Sequence, residues 1–356
     1  MGVASTRCPS ETDACCRRDT QRRETEPPGW LAPVPNGFFA LGDRSSLRAE
    51  HSQTSSRRCP MIRRVFLTIL FALLAEVMAI AVPITVLYTN DLHVRLDRFD
   101  SLAAIIATER ESESAVLLFD AGDTWQDHRR LVTNVWGSSE TVDWMNDVAY
   151  SAMSLGNHDT YWGPKRLAAL VSDVQFPVLC ANWRPIDGSQ SDVSASTIVH
   201  MGDVSLLIVG LITAEFVPVP AYPRLRYRDP VVCLREQIDL HDGAFDFVFV
   251  VAHVSIAAAR IIVQQVPEVA LFVSGHSHEH TPEPIRQGTT LIVQSGAFAQ
   301  SLGRLRLDVN TELGELAVLS NDLVSIERTP VDVRAGVHKL VTVLAAIALA
   351  TALWIL

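Results

Sequence analysis

Acidic, amide and imidazole side chains recur in short clusters along the middle of this 356-residue chain, and each cluster directly follows an apolar run. The clusters contain Asp91, His93, Asp123, Asn157, His158, His253, His276 and His278. One such histidine alone is usually structural, but packing does not explain five clusters that all follow apolar segments. Carboxylates and imidazoles that are buried together need a compensating charge. A pair of divalent metal ions would supply that charge.

The apolar runs that precede these clusters have the length and composition of β-strands. They cover 84–88, 115–119, 151–155, 247–252 and 269–274, and helical patterns lie between them at 138–148, 164–171 and 255–266. Continuous apolar strands that alternate with helices predict an α/β domain with a sheet buried on both faces. The carboxyl ends of such strands open onto one crevice. We therefore expect the clusters to converge there.

The order and spacing of the clusters resemble those of the calcineurin-like metallophosphoesterases. The motifs that carry the resemblance are Asp91-Leu92-His93, Gly122-Asp123, Gly156-Asn157-His158-Asp159, His253 and Gly275-His276-Ser277-His278. Flanking segments resemble the catalytic domain of the 5′-nucleotidase family, namely Tyr88-Thr89-Asn90, Pro177-Val178-Leu179-Cys180-Ala181-Asn182, Gln294-Ser295-Gly296-Ala297 and Leu302-Gly303-Arg304-Leu305. The resemblance covers about 82–320. It implies a sandwich of two mixed β-sheets flanked by helices, formed as a single domain over 82–330.

The resemblance also implies a role for each cluster residue. One metal ion would be held by Asp91, His93, Asp123 and His278, and a second by Asp123, Asn157, His253 and His276, with Asp123 bridging the two. Mn²⁺, Zn²⁺ and Fe all suit this mixture of ligands. Two such ions would acidify a shared water to hydroxide and clamp the phosphoryl oxygens during in-line attack. His158 would stabilise the developing charge or protonate the leaving alkoxide.

The expected reaction is the hydrolysis of a phosphate monoester, with nucleotides as the favoured substrates. A phosphodiesterase of the same fold, including one for cyclic nucleotides, is an alternative, and a catalytically weak surface binding protein is another. Tyr161 stands where the 5′-nucleotidase pattern has an acidic partner for the catalytic histidine, and Asp159 and Asp127 are candidates to replace that partner. Full-length 5′-nucleotidases continue into a nucleotide-binding domain. This chain reaches an apolar tail at Leu340 instead, so we expect that domain to be absent.

The two ends of the chain differ in composition from the middle. Residues 1–60 lack hydrophobic periodicity, which predicts a disordered leader or an extension ahead of a true start at Met61. Residues 61–81 resemble a secretory signal peptide, with an uncleaved signal anchor as the alternative. After a linker at 331–339, the uncharged tail at 340–356 predicts a membrane anchor or a lipid-anchor signal. We therefore expect export through the secretory pathway, to the extracellular face of a membrane or into the medium.

Charge and cysteine content bear on nucleic-acid binding and on disulfide formation. The formal net charge is −10, whereas a general nucleic-acid binder needs a basic face, so we expect no binding of nucleic acid. Within the predicted domain only Cys180 and Cys233 occur. They are compatible with one disulfide outside the cell, and a buried thiol is the simpler role for Cys180.

Overall fold

The computed structural model describes part of the chain. The described residues are 64–69, 81–127, 131–185, 192–215, 225–330 and, in the tail, 341–342, 344–346, 348–349 and 351–352. The predicted leader at 1–60, the linker at 331–339 and most of the predicted signal segment at 61–81 lie outside them, as does part of the tail. Residues 64–69 are helical, and so are the described tail residues. No helix among the described residues is both long enough and apolar enough to cross a membrane.

Strands and helices alternate through most of the described chain. The strands are β1 Ala81–Thr89, β2 Val116–Asp120, β3 Ala152–Ser154, β4 Val178–Leu179, β5 Trp183–Pro185, β6 Ser196–Met201, β7 Val204–Ile212, β8 Leu225–Tyr227, β9 Phe247–His253, β10 Val269–Ser274, β11 Ile285–Gln287, β12 Thr290–Val293, β13 Ser301–Asn310 and β14 Glu315–Ser325. The α-helices are α1 Phe99–Ser112, α2 Leu131–Asp147, α3 Pro164–Asp173, α4 Pro230–Leu240 and α5 Ile256–Gln265. Single 3₁₀ turns occur at Leu96–Arg98 and His158–Thr160.

Two six-stranded mixed sheets form the body of the fold. The first has the order β14-β13-β1-β2-β3-β4, and the second has the order β11-β12-β10-β9-β7-β6. In each sheet four neighbouring strands are parallel, β1 to β4 in the first and β12, β10, β9 and β7 in the second. The remaining strands pair antiparallel with their neighbours, β13 with β1 and β14 with β13 in the first sheet, and β11 with β12 and β6 with β7 in the second. This confirms the predicted α/β sandwich of two mixed sheets.

The two sheets pack face to face, with helices on both outer sides. Phe119 and Phe249 belong to the apolar layer between the sheets. Leu102 of α1 packs on the outer face of the first sheet, and Ile262 of α5 packs on the outer face of the second. Each fully buried side chain of this kind stabilises the fold by about 1.5–3 kcal/mol. Both faces of the parallel strands are therefore covered, and every residue of β9 is buried.

Hydrogen bonds join the two sheets at the carboxyl ends of their parallel strands. The Ser154 hydroxyl, at the end of β3, donates to the carbonyl of Leu211 in β7 at 2.8 Å. The amide of Asn182, after β4, donates to the carbonyl of Ile212 at 2.8 Å and accepts from its N–H at 2.9 Å. Both sets of strand ends therefore open onto the same crevice.

Two sequence expectations need adjustment. Helix α2 begins at Leu131, whereas the hydrophobic pattern placed its start at 138. Within the helix, the Thr141 hydroxyl donates to the carbonyl of Gly137, and the Ser138 hydroxyl donates to the carbonyl of Trp125 in the loop after β2. Cys180 and Cys233 are both buried free thiols, so they form no disulfide with each other.

Candidate metal centre

Every cluster residue predicted from the sequence lies at the carboxyl end of a parallel strand. Asp91 and His93 follow β1, Asp123 follows β2, Asn157 and His158 follow β3, His253 ends β9, and His276 and His278 follow β10. Among the described residues, three groups of donor atoms lie within 4.8 Å of one another: Asp91 with His93 and His278, His93 with Asp123 and His158, and Asp123 with His253 and His276. The fold therefore brings the whole set of predicted cluster residues to one place.

Several of these side chains belong to residues whose backbone is in the left-handed region, which residues other than glycine rarely adopt. The φ angles are 51° at Asp91, 49° at His93, 58° at Asp123, 69° at His276 and 57° at His278. Each such residue costs about 1–3 kcal/mol and persists only where the surroundings impose it. Here hydrogen bonds join the loops after β1 and β2. The Asp91 N–H donates to the Gly122 carbonyl at 2.8 Å, and the His93 N–H donates to the Asp123 backbone carbonyl at 3.0 Å. Strain of this kind concentrates at functional sites.

The first donor group is Asp91, His93 and His278. Asp91 Oδ1 lies 3.1 Å from His278 Nε2 and 3.8 Å from His93 Nε2. His93 Nδ1 is 3.1 Å from the Gln126 carbonyl, which can only accept, so Nδ1 carries the proton and Nε2 is bare. Burial lowers the pKa of His93 despite the nearby carboxylates, which keeps this ring neutral. Asp91 Oδ1 is buried and has no hydrogen-bond partner in the described part of the chain, which fits a cation between these acceptors.

The second donor group is Asp123, His253 and His276, and Asn157 joins it. His253 Nε2 lies 3.1 Å from both Asp123 Oδ2 and Asn157 Oδ1. His253 Nδ1 is 2.8 Å from the Ala121 carbonyl, so the proton of the neutral ring sits there and Nε2 faces two further acceptors. Burial opposes a charge on His253, but the Asp123 and Asp91 carboxylates raise its pKa to about 10. Three acceptors around one point hold either a proton or a metal ion, and binding of the metal ion displaces the proton.

Asp123 belongs to both parts of the centre. Its Oδ2 faces His253 at 3.1 Å and His158 Nε2 at 3.8 Å, and its Oδ1 accepts the His158 N–H at 2.7 Å. Burial alone would raise the pKa of Asp123, but His253, His93 and His158 together hold it below its usual range. A permanently charged carboxylate between the two donor groups has the position expected of a bridging ligand.

Asp159 has a structural role that differs from the one expected. Its fully buried carboxylate accepts backbone N–H groups from Asp123 at 3.0 Å, Thr124 at 3.1 Å, Trp125 at 2.8 Å and Gly156 at 2.9 Å. It therefore ties the loop after β2 to the loop after β3 and holds Asp123 in place. Because its oxygens face these N–H groups, Asp159 does not take the place of the acidic residue that the resemblance implies beside His158.

Two buried amides support the centre from the remaining loops. Asn90 donates to Asp91 Oδ2 at 2.7 Å and accepts from the N–H and the hydroxyl of Ser295. Gln294 donates to the carbonyl of Gly275 at 2.8 Å and accepts from the Glu279 N–H, so it braces the turn that carries His276 and His278. Both amides lie in the flanking segments quoted for the resemblance, but sequence alone did not assign them a role.

The rim of the centre has two residues that sequence analysis missed. Glu215, after β7, lies with Oε2 3.0 Å from His276 Nε2 and has an exposed side chain. The ring of Phe298 packs 5.2 Å from the rings of both His93 and His278. Glu215 follows the apolar strand β7 by three residues, which is a signal that could have found it, whereas Phe298 does not directly follow such a strand.

Comparison with known families supports the same assignment. The family described as calcineurin-like phosphoesterase matches residues 84–280, which is more than half of the chain and includes every candidate ligand and His158. The chain belongs to the calcineurin-like phosphoesterases. Phosphoesterases of this family use divalent metal ions, which agrees with the donor groups described above.

Several relatives of this phosphoesterase are 5′-nucleotidases. The human 5′-nucleotidase is 27% identical over 328 residues, which cover 79% of this chain and 57% of the relative. A snake venom 5′-nucleotidase from Naja atra is 32% identical over 219 residues, covering 55% of this chain and 41% of the relative. The chain thus spans about half the length of the curated relatives that it matches.

Solved structures share the fold of this phosphoesterase. The 5′-nucleotidase precursor from Thermus thermophilus superposes with a TM-score of 0.63 at 21% identity, covering 76% of this chain and 60% of that one. The sulfate thiohydrolase SoxB from the same organism superposes with a TM-score of 0.62 at 20% identity, covering 71% and 59%. Because these two proteins have different names and the same fold, the fold does not by itself choose the substrate.

Proposed function

We propose that this chain is a metal-dependent phosphatase that hydrolyses phosphate monoesters, with nucleotides as the substrate class. The observation that carries the proposal is the position of Asp123, whose carboxylate lies in one group of donor atoms with His93 and His158 and in another with His253 and His276. The similarity to 5′-nucleotidases supports nucleotides among the monoesters.

The donor chemistry fits two divalent ions. Asp91, His93 and His278 would hold one ion, and Asn157, His253 and His276 would hold the other, with Asp123 contributing to both. When bound, such ions acidify a water molecule and neutralise charge on the phosphoryl oxygens. Their identity among Mn²⁺, Zn²⁺ and Fe is set by supply as well as by ligands.

His158 has the position of a general acid. Its Nε2 lies 3.8 Å from Asp123 Oδ2, its backbone N–H donates to the same carboxylate, and its side chain is only 17% exposed. In the proposed reaction it hydrogen-bonds the ester oxygen and delivers the proton that the leaving alkoxide needs. Such a proton transfer contributes typically about 10²–10⁴-fold to the rate.

The proposal is tested with the full-length chain purified in mild detergent and stripped of metal with EDTA. Para-nitrophenyl phosphate, AMP and bis-para-nitrophenyl phosphate are assayed with and without added Mn²⁺. We expect Mn²⁺ to restore turnover of both monoesters, with release of inorganic phosphate from AMP. Faster hydrolysis of the bis-ester would indicate a phosphodiesterase. No metal-dependent turnover of any of the three would indicate a binding protein.

We also propose that the chain is exported and stays attached to a membrane. The support is the composition of 61–81, which matches a signal peptide, and of 340–356, which is uncharged and apolar. Deletion of 61–81 is expected to leave the protein inside the cell, and deletion of 340–356 to release it into the medium. Fractionation of cells expressing each deletion checks this. Unchanged distributions for both deletions would rule the proposal out.

A further inference from the structure

Tyr161 contacts two residues of the metal centre at once. Its hydroxyl accepts a hydrogen bond from Asn157 Nδ2 at 3.2 Å, and its ring lies 4.6 Å from the ring of His158. We propose that Tyr161 is a positioning residue: its hydroxyl holds the Asn157 amide with the oxygen facing the second donor group, and its ring supports His158.

The local backbone explains how one side chain reaches both. The 3₁₀ turn His158–Thr160 follows Asn157, and the Tyr161 N–H donates to the His158 carbonyl at 3.1 Å. Thr160 closes the turn, because its hydroxyl donates to the Asn157 carbonyl at 2.7 Å. Residues three apart in a 3₁₀ turn lie on the same side, so the ring of Tyr161 lies beside that of His158, and its hydroxyl reaches the neighbouring Asn157 amide.

Only the oxygen of a side-chain amide can bind a metal ion, so the orientation of Asn157 matters. Oδ1 lies 3.1 Å from His253 Nε2, inside the second donor group, while Nδ2 points away to Tyr161. The hydroxyl therefore anchors the end of the amide that does not face the ion. Partners of this kind orient metal ligands, and their loss typically weakens metal binding about 10–100-fold.

The rings of Tyr161 and His93 both contact the ring of His158. His93 meets His158 edge to face at 5.0 Å, with an interplanar angle of 82°, whereas Tyr161 lies tilted at 39°. The Asp159 carboxylate is turned towards four backbone N–H groups instead of towards this imidazole. The ring of Tyr161 therefore contacts His158 from the sequence position where the resemblance implies an acidic residue.

The hydroxyl and the ring can be tested separately. Tyr161→Phe removes the hydroxyl and keeps the ring. Titration of metal-free protein with Mn²⁺ by calorimetry is expected to show two ions in the wild type, one of them bound roughly tenfold more weakly in Tyr161→Phe and the other unchanged. Asn157→Ala should weaken the same ion, and the double variant should bind like Asn157→Ala, because Tyr161 acts through Asn157.

Tyr88→Phe is the matched control. It also removes a tyrosine–asparagine hydrogen bond, from Tyr88 to Asn321 Oδ1 at 3.0 Å, but one that does not contact a ligand. Its metal affinities should equal those of the wild type. The proposal would be overturned if Tyr161→Phe bound both ions as tightly as the wild type, or if the losses of affinity in the double variant were additive. It would also be overturned if Tyr161→Phe bound both ions equally more weakly and had a lower melting temperature.

The ring has its own readout. Tyr161→Ala should lower kcat for para-nitrophenyl phosphate beyond Tyr161→Phe when both are saturated with Mn²⁺, and equal kcat values would show that the ring does not support His158. The metal titration does not depend on which substrate is cleaved. A wild-type chain that binds two ions but hydrolyses none of the three esters would contradict the proposed function and leave the assignment of the hydroxyl intact.

Discussion

Asp123→Asn is expected to abolish hydrolysis of both monoesters and to weaken the binding of both metal ions. The amide can still accept the His158 N–H that Asp123 Oδ1 accepts at 2.7 Å, so the loop is preserved. The variant, however, replaces the charged oxygen Asp123 Oδ2, which lies 3.1 Å from His253 Nε2, with an uncharged group. The negative charge that would bridge the two ions is then lost. Two ions supply several kcal/mol of transition-state stabilisation, so we expect kcat/KM to fall by roughly 10³-fold or more.

The control for this variant is Asp203→Asn in the exposed turn between β6 and β7. It removes the same charge far from the crevice in sequence and fold, and its kcat/KM should match the wild type. Substitutions at such surface positions usually change stability by less than about 0.5 kcal/mol. Residual activity above a few per cent in Asp123→Asn would be inconsistent with a shared carboxylate.

Gly156→Ala is expected to lower the free energy of unfolding by about 3 kcal/mol or more and to remove activity from the fraction that still folds. A Cβ at this position would lie 2.1 Å from Asp123 Oδ1 and 2.2 Å from the Asp123 backbone nitrogen. Neither atom can retreat, because the loop is held by Asp159 on its other side. Overpacking of a tight core typically costs about 1–3 kcal/mol, and here the obstacle is backbone. Thermal denaturation followed by circular dichroism measures the effect.

Gly163→Ala separates a steric clash from backbone strain. Gly163 has a φ of 81°, and a Cβ there would meet nothing within 4 Å. Its substitution therefore costs only the strain of a left-handed residue, about 1–2 kcal/mol. We expect Gly163→Ala to keep activity with a modest loss of melting temperature. If Gly156→Ala and Gly163→Ala have the same melting temperature, the close approach to Asp123 is not the reason for the glycine at position 156.

The positions of the candidate ligands could be predicted because each follows an apolar strand that the sequence marks clearly. The strand at 269–274, for example, was predicted with the bounds that β10 has, and His276 and His278 follow it directly. A parallel sheet places such ends together whatever the loops do. The fold class and the convergence of the clusters could therefore be derived from local patterns, whereas the assignment of seven of these residues as ligands comes from the family resemblance and stays a prediction.

The supporting residues could not be predicted in the same way. Asp159 sits next to His158 in the sequence, but its role depends on where the N–H groups of the loop after β2 point. Gln294 and Asn90 are likewise defined by loops more than a hundred residues away along the chain or by a neighbouring turn. Contacts of this kind depend on where the fold places individual backbone groups, and the hydrophobic pattern of the sequence does not predict them.

The most direct measurement of the central claim is anomalous diffraction from crystals of the full-length chain soaked in Mn²⁺. The account predicts two peaks, one among Asp91, His93 and His278 and one among Asn157, His253 and His276, with Asp123 between them. A single peak, or two peaks that do not share Asp123, would contradict it.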